Sequence, residues 1–169
     1  MIIDMGLYSK IELAKKLIDI APGNLSRVFY SDSGATSVEI AIKMAFQYWS
    51  NKGTQNRTKF IALKESYHGD TMGSVSIGGM DIFHKIFGPL TFRALFSPAP
   101  HPYRFDGDKE NCLSYCLESI EKLLIDNTDN IAAIVVEPLV QGASGLLVHP
   151  EGFLKGVEAL ARKHNTLLI

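Results

Sequence analysis

Apolar and polar positions follow two rhythms along this chain, and the rhythm switches repeatedly. Ile11, Ala14, Leu17 and Ile18 recur at three- and four-residue spacing, which predicts an amphipathic helix stopped by Pro22-Gly23. Arg27 to Ser31 (RVFYS) reads as a short strand. Helical spacing returns from Thr36 to Trp49 through Val38, Ile42, Ala45, Phe46 and Trp49. Lys59 to Lys64 (KFIALK) is a second strand. Glycines and prolines punctuate the stretch from Tyr67 to Asp108, which predicts short helices and a short strand near Ala94 to Phe96. Asn111 to Asn127 is helical, with Leu113, Leu117, Ile120 and Leu124 as its core face. Ile131 to Val136 (IAAIVV) is apolar throughout, as expected of a strand covered on both faces. A helix from Pro150 to His164 follows, and Thr166 to Ile169 (TLLI) opens another strand. The alternation predicts an α/β fold built on a mainly parallel, doubly wound sheet.

Composition narrows the picture by exclusion. The 169 residues are 46% hydrophobic and 21% charged, enough to bury a core. A formal net charge of −1 gives no electrostatic case for nucleic acid or an anionic membrane as partner. No apolar run approaches the roughly 18 residues that span a bilayer, and the first residues lack the pattern of a secretory signal. Cys112 and Cys116 sit four apart in a predicted helix; two small, partly buried side chains are the simple reading, redox or metal use the alternative. A reducing cytoplasm is the expected location. His84, His101, His149 and His164 have no metal-ligand spacing and are expected on the surface or in loops.

Candidate chemistry gathers at the carboxyl ends of the predicted strands, where open α/β sheets bind ligands. The first strand leads into Ser31-Asp32-Ser33-Gly34-Ala35-Thr36, which opens a long helix. Unpaired N–H groups and the positive end of the helix dipole make such a start an anion site suited to phosphate. A plain helix cap by Asp32 or Ser33 is the alternative. The second strand leads into Ser66-Tyr67-His68-Gly69-Asp70-Thr71, where an aromatic ring beside a glycine can cover a flat heterocycle. Packing and loop-bonding roles for Tyr67 and His68 are the alternative. The IAAIVV strand leads into Glu137-Pro138, then Gln141 in a Gly-Ala-Ser-Gly turn. A carboxylate at the end of a buried strand must find a partner.

At these residues the sequence resembles the class-III (fold type I) pyridoxal-phosphate-dependent aminotransferases. The resemblance is carried by Asp32-Ser33-Gly34, Val38-Glu39-Ile40-Ala41, Lys43-Met44-Ala45 and Gln47-Tyr48-Trp49. It continues through Tyr67-His68-Gly69-Asp70-Thr71, Pro98-Ala99-Pro100, Glu137 to Ala143, His149-Pro150-Glu151 and Leu167-Leu168-Ile169. It implies that residues 1–169 are a partial large, pyridoxal-phosphate-binding domain, truncated at both ends. Ser33, Gly34 and Ala35 are then expected to hold the cofactor phosphate. Tyr67 would stack on the pyridine ring and border the substrate pocket, with His68 shaping the loop. Glu137 would lie below the cofactor, and Gln141 would approach the same network. Ala35 stands where relatives often carry Ser or Thr, so one hydroxyl bond to phosphate is absent. Thr36 points about 100° further round the helix and is no automatic substitute.

The resemblance also implies catalytic parts that cannot be placed in this chain. A Schiff-base lysine, an aspartate for the pyridine nitrogen and a substrate-binding arginine are expected beyond Ile169. The Gln-Tyr-Trp helix end and Val-Gln-Gly-Ala turn point to the subgroup that aminates 8-amino-7-oxononanoate to 7,8-diaminononanoate in biotin biosynthesis. Its expected amino donor is S-adenosylmethionine, and its expected state is a homodimer acting on small molecules. Another class-III ω-aminotransferase of the ornithine, GABA or diamine type, and a non-catalytic remnant binding a phosphate ligand, are the alternatives.

Overall fold

A computed structural model describes residues 2–23 and 25–169, which divide into a compact unit ending at Asp32 and a larger one beginning at Ser33. In the smaller unit, helix α1 (Ile2–Ile20) contains the expected amphipathic stretch and extends it toward the amino terminus. The Ala21 N–H donates to the Leu17 carbonyl at 3.0 Å, and Pro22, which has no N–H, ends the ladder. The strand expected at Arg27 to Ser31 does not form: none of these residues pairs in a ladder with any described residue. Composition expresses only a preference for a pleated, half-buried surface, and a strand needs a hydrogen-bonding neighbour. Phe29 and Tyr30 are exposed.

The larger unit is built on a four-stranded parallel sheet in the order β2-β1-β3-β6. Its strands are β1 (Lys59–Leu63), β2 (Leu95–Ser97), β3 (Ile131–Ile134) and β6 (Leu167–Leu168). Side chains alternate across β1 with the period of a strand. Ile61 and Leu63 face a core with Cys112, Cys116, Ile120, Phe153 and Val157, supplied by α5 (Cys112–Asp126) and α6 (Phe153–Lys163). Phe60 and Ala62 face a second core with Ile42, Ala45, Trp49 and Ile77, supplied by α2 (Gly34–Asn51) and α3 (Met72–Ile77). Both faces of the central strands are therefore covered, as a parallel sheet requires.

Local packing refines several expectations. On α5 the most buried line is Cys112, Cys116, Ile120 and Leu124, with Leu113 and Leu117 at its margin, so the cysteines are core residues. Burial pushes the Cys116 thiol up to about 12, which leaves it a small, inert hydrophobe. Gly156 on α6 lies against Leu117, whose Cδ1 would stand 2.5 Å from any added Cβ, so α5 and α6 approach closely there. On α2, Phe46 is 49% exposed, because the helix turns Ile42, Ala45 and Trp49 inward and Phe46 lies beyond that stripe. At the amino-terminal ends of the strands Arg57, 5% exposed, donates to the Ile131 and Asn165 carbonyls at 2.9 and 2.8 Å. Its guanidinium lies 4.1 Å from the centroid of the Trp49 ring, and Trp49 Nε1 donates to the Ala132 carbonyl at 2.8 Å. Short helix α4 (Asp81–His84) and a small antiparallel hairpin, β4 (Val140–Gln141) with β5 (Leu147–Val148), complete the elements used below.

Candidate functional site

Ser33 caps α2 in both directions. Its Oγ accepts from the Thr36 N–H at 3.2 Å, and its own N–H donates to Thr36 Oγ1 at 3.1 Å. This capping box satisfies one helical donor and leaves Gly34 and Ala35 with N–H groups that have no intrahelical acceptor. The first turn carries no acidic side chain. A Cβ added at Gly34 would meet nothing within 4 Å, so the surface beside its Cα is open. The two sequence readings of Ser33, cap and anion site, are thus compatible: the hydroxyl serves one N–H while its neighbours remain available.

The loop after β1 lies against this helix start. Gly69 has φ +116°, and a side chain there would collide with Ala35, whose Cα would be 2.7 Å from the added Cβ. The Ser74 hydroxyl donates to the Ala35 carbonyl at 3.1 Å. Tyr67 occupies the beginning of the same loop. Its ring lies nearly parallel to that of His84, with centroids 6.0 Å apart and planes at 16°, and Phe83 meets it edge-on at 6.3 Å. Its hydroxyl donates to Asp70 Oδ2 at 2.7 Å; that bond to a carboxylate, above all, raises the phenol above its ordinary value.

Glu137 reaches the loop from the end of β3. Its Oε1 accepts from the Tyr67 N–H at 3.1 Å and its Oε2 from the Gly142 N–H at 2.8 Å. The carboxylate predicted to need a partner has two, both backbone donors, and through them it joins the β1 and β3 strand ends. Gln141 is fully buried, donating from Nε2 to the Lys64 carbonyl at 3.0 Å, while its Oε1 faces His149 Nε2 at 3.3 Å. It is a brace behind the loop, not a group on the rim.

His68 is partly buried, and its Nε2 is buried with no hydrogen-bond partner among the described residues. Burial, and then the neighbouring His84, lower its pKa to about 4, so the ring is neutral at neutral pH. Two of the histidines expected on the surface or in loops are buried: His84 is 7% exposed on α4, and His149, in the loop after β5, 8%. The His84 ring fills the space a side chain at Gly78 would take, and His149 meets Phe153 edge-on at 4.9 Å. Among the described residues no group of three His, Cys, Asp or Glu could hold a metal ion. A cavity of about 480 Å³ beside the loop is lined by Lys64, Glu65, Asp81 and Ser144 and shares no residue with the predicted set.

The geometry suits a phosphorylated heterocycle. Helical donors with no acidic side chain in the first turn match a dianion, and the Gly69–Ala35 contact holds an aromatic loop beside them. Sequence reasoning did not single out Glu39 or Asp70. Glu39 gave no signal of its own, because Lys43 one turn further on is the local partner its spacing suggests.

Comparison with known proteins follows the same direction. The family model described as Aminotransferase class-III matches residues 3–169. The chain is 53% identical to adenosylmethionine-8-amino-7-oxononanoate aminotransferase of Staphylococcus aureus, over 94% of this chain and 36% of that protein. It is 46% identical to the same enzyme of Geobacter sulfurreducens, again over 94% and 36%. The crystal structure of the Methanocaldococcus jannaschii enzyme superposes with a TM-score of 0.82 at 39% identity, covering 94% of this chain and 34% of that one. An (S)-enantioselective omega-transaminase from Thermomicrobium roseum superposes with 0.86 at 36% identity, covering 94% and 36%. The chain thus spans about a third of the length of the relatives it matches, and its parallel α/β sheet is that of the fold type I transaminases. With a family match over nearly its whole length, this chain belongs to the class-III aminotransferases.

Proposed function

We propose that this chain is the part of a class-III aminotransferase that binds and orients pyridoxal 5′-phosphate. The observation that carries the reading is the contact of Gly69 with Ala35, which sets the Tyr67 loop beside the uncapped N–H groups of α2. In this reading the N–H groups of Gly34 and Ala35, with Ser33 at the cap, hold the phosphate. Tyr67 presents its ring to the pyridine and borders the substrate. Glu137 fixes the Tyr67 backbone, and neutral His68 closes the loop without adding charge. When bound, the cofactor supplies the electron sink for amino-group transfer, while the protein supplies orientation and electrostatics. The lysine that carries the cofactor and the carboxylate facing its ring nitrogen are assigned to residues outside these 169.

The proposed reaction is amination of 8-amino-7-oxononanoate to 7,8-diaminononanoate, with S-adenosylmethionine as donor. Supporting it is the shared name of eight relatives at 39–53% identity, set against 31–36% for omega-transaminases and an amine transaminase of similar fold. The reading extends to a cytoplasmic homodimer. Ile82, Phe83, Ile86, Phe87 and Leu90 stand exposed on α4 and the turn after it, apolar surface suited to a partner. The experiment is a donor panel on the protein that carries this chain: S-adenosylmethionine, ornithine, GABA and a diamine, with product followed by mass. Diaminononanoate formed with S-adenosylmethionine alone supports the reading. Turnover with ornithine or GABA on their own keto acceptors, and none here, overturns it.

A further inference from the structure

Glu39 lies on α2, between the helix start and the buried Ile42, and its carboxylate leaves the helix for the loop after β1. Oε2 accepts from Thr71 Oγ1 at 2.6 Å and from the Gly73 N–H at 2.8 Å. The fit is close: a Cβ on Gly73 would lie 2.5 Å from Oε2 and 2.7 Å from Cδ, so glycine is needed there for the carboxylate to seat. Thr71 Oγ1 also touches Ser74 Oγ at 3.0 Å, a packing contact because the Thr71 hydroxyl donates to Glu39 and the Ser74 hydroxyl donates to the Ala35 carbonyl at 3.1 Å. The chain of contacts therefore runs from Glu39 through Thr71 and Ser74 to Ala35, from the second turn of α2 back to its first.

The loop is thus held by two carboxylates from different elements. Glu137 holds Tyr67 at its beginning, and Glu39 holds Thr71 and Gly73 at its end. Between these anchors Gly69 rests on Ala35. A negative group little more than one turn from an anion site opposes phosphate on charge alone, so its use there is explained by geometry. A carboxylate oxygen accepts two donors at once, and charge-assisted bonds are roughly twice as strong as neutral ones.

We infer that Glu39 is a positioning residue that sets the register between the α2 start and the Tyr67 loop, and through it the preference of the site for a phosphorylated ligand. The inference rests on the proposed phosphate reading. Misregister separates the helical donors from the ring face, so a ligand engages one or the other. A ligand without phosphate needs only the ring face and is less affected.

The test compares affinities of the chain for pyridoxamine 5′-phosphate and for pyridoxamine, neither of which condenses with surface lysines. Deuterium uptake is read in parallel over residues 67–75, with 112–126 as the folding control. Glu39→Ala is expected to reduce the phosphate preference about tenfold, to speed exchange in 67–75 and to leave 112–126 unchanged. Glu39→Gln, which keeps an acceptor oxygen, is expected to stay within about threefold of the parent chain. Should Glu39→Ala unfold the chain, Thr71→Val removes one donor with little change of shape and is expected to lower the preference about threefold. A preference that Glu39→Ala and Thr71→Val leave intact overturns this inference alone. A higher preference in Glu39→Gln overturns it too, by showing that charge and not register is what Glu39 contributes. A parent chain that binds the two ligands equally removes the phosphate reading, and the inference with it.

Discussion

The backbone N–H of Tyr67 donates to Oε1 of Glu137 at 3.1 Å, a bond between residues 70 apart in the chain. It makes the end of β3 a support for the loop after β1. The other oxygen of Glu137 is committed to Gly142 at 2.8 Å, so the side chain has two backbone donors and no ion pair among the described residues.

Glu137 should therefore respond even to its isostere. Glutamine offers one acceptor oxygen and one NH₂, and the NH₂ must face either the Tyr67 or the Gly142 N–H. Glu137→Gln is expected to cost about 1–2 kcal/mol and Glu137→Ala about 2–3 kcal/mol, given ordinary values for bonds to charged groups. Urea unfolding of the two variants measures this. Equal stability of Glu137→Gln and the parent chain would mean that Glu137 does not hold both donors.

Arg57 and Asp129 give a contrast in magnitude at the opposite end of the strands. They lie 3.5 Å apart, but Asp129 is 75% exposed, so Asp129→Ala is expected to cost less than about 1 kcal/mol. Arg57 is buried against Trp49 and serves two carbonyls. Arg57→Ala is expected to cost about 3–5 kcal/mol, and Arg57→Lys to recover only part, since an ammonium cannot stack on Trp49 while reaching both carbonyls. Thermal melts should place Asp129→Ala highest, Arg57→Lys next and Arg57→Ala lowest.

Most of the sheet was legible in the sequence because β1 and β3 are apolar on both faces and α2 and α5 keep helical spacing. What failed depends on partners distant in sequence. Arg27 to Ser31 has strand composition but forms no strand ladder among the described residues. The burial of His84 and His149 was missed because their contacts with Gly78 and Phe153 leave no local mark. Ser33, Tyr67 and Glu137 could be chosen because strand ends and helix starts announce themselves. Glu39 could not, since its donors are 32 and 34 residues away.

Stability should fall in mild acid. His68 is held to about 4 and His149 below its ordinary value, in both cases chiefly by burial. Their folded-state pKa values lie below the unfolded one, so the unfolded chain binds more protons as pH drops below about 6.5. Their contribution is complete above that pH and is lost as pH falls, His68 accounting for up to roughly 3 kcal/mol by pH 4. Glu121, lowered by its bonds to Lys163 and His164, adds a separate loss below the usual carboxylate range. Denaturation midpoints at pH 7.5, 6, 5 and 4 check the slope, and His68→Gln should flatten it (these pH values are about a unit apart, spanning the shift). A slope unchanged by His68→Gln would contradict the assignment to that ring.

The location of the cofactor site is the central claim, and amide chemical shifts of the ¹⁵N-labelled chain test it most directly. Pyridoxamine 5′-phosphate is added to the chain and the perturbed amides are mapped. The account predicts saturable shifts that are largest at Gly34 and Ala35, with a second group at Tyr67 and Gly69, and smaller ones at Gly142 through Glu137. Tyr67→Ala should weaken binding by about fivefold, in line with an aromatic contact of about 1 kcal/mol. Saturable shifts centred on the Lys64–Ser144 cavity, with Gly34 and Ala35 unmoved, would contradict it.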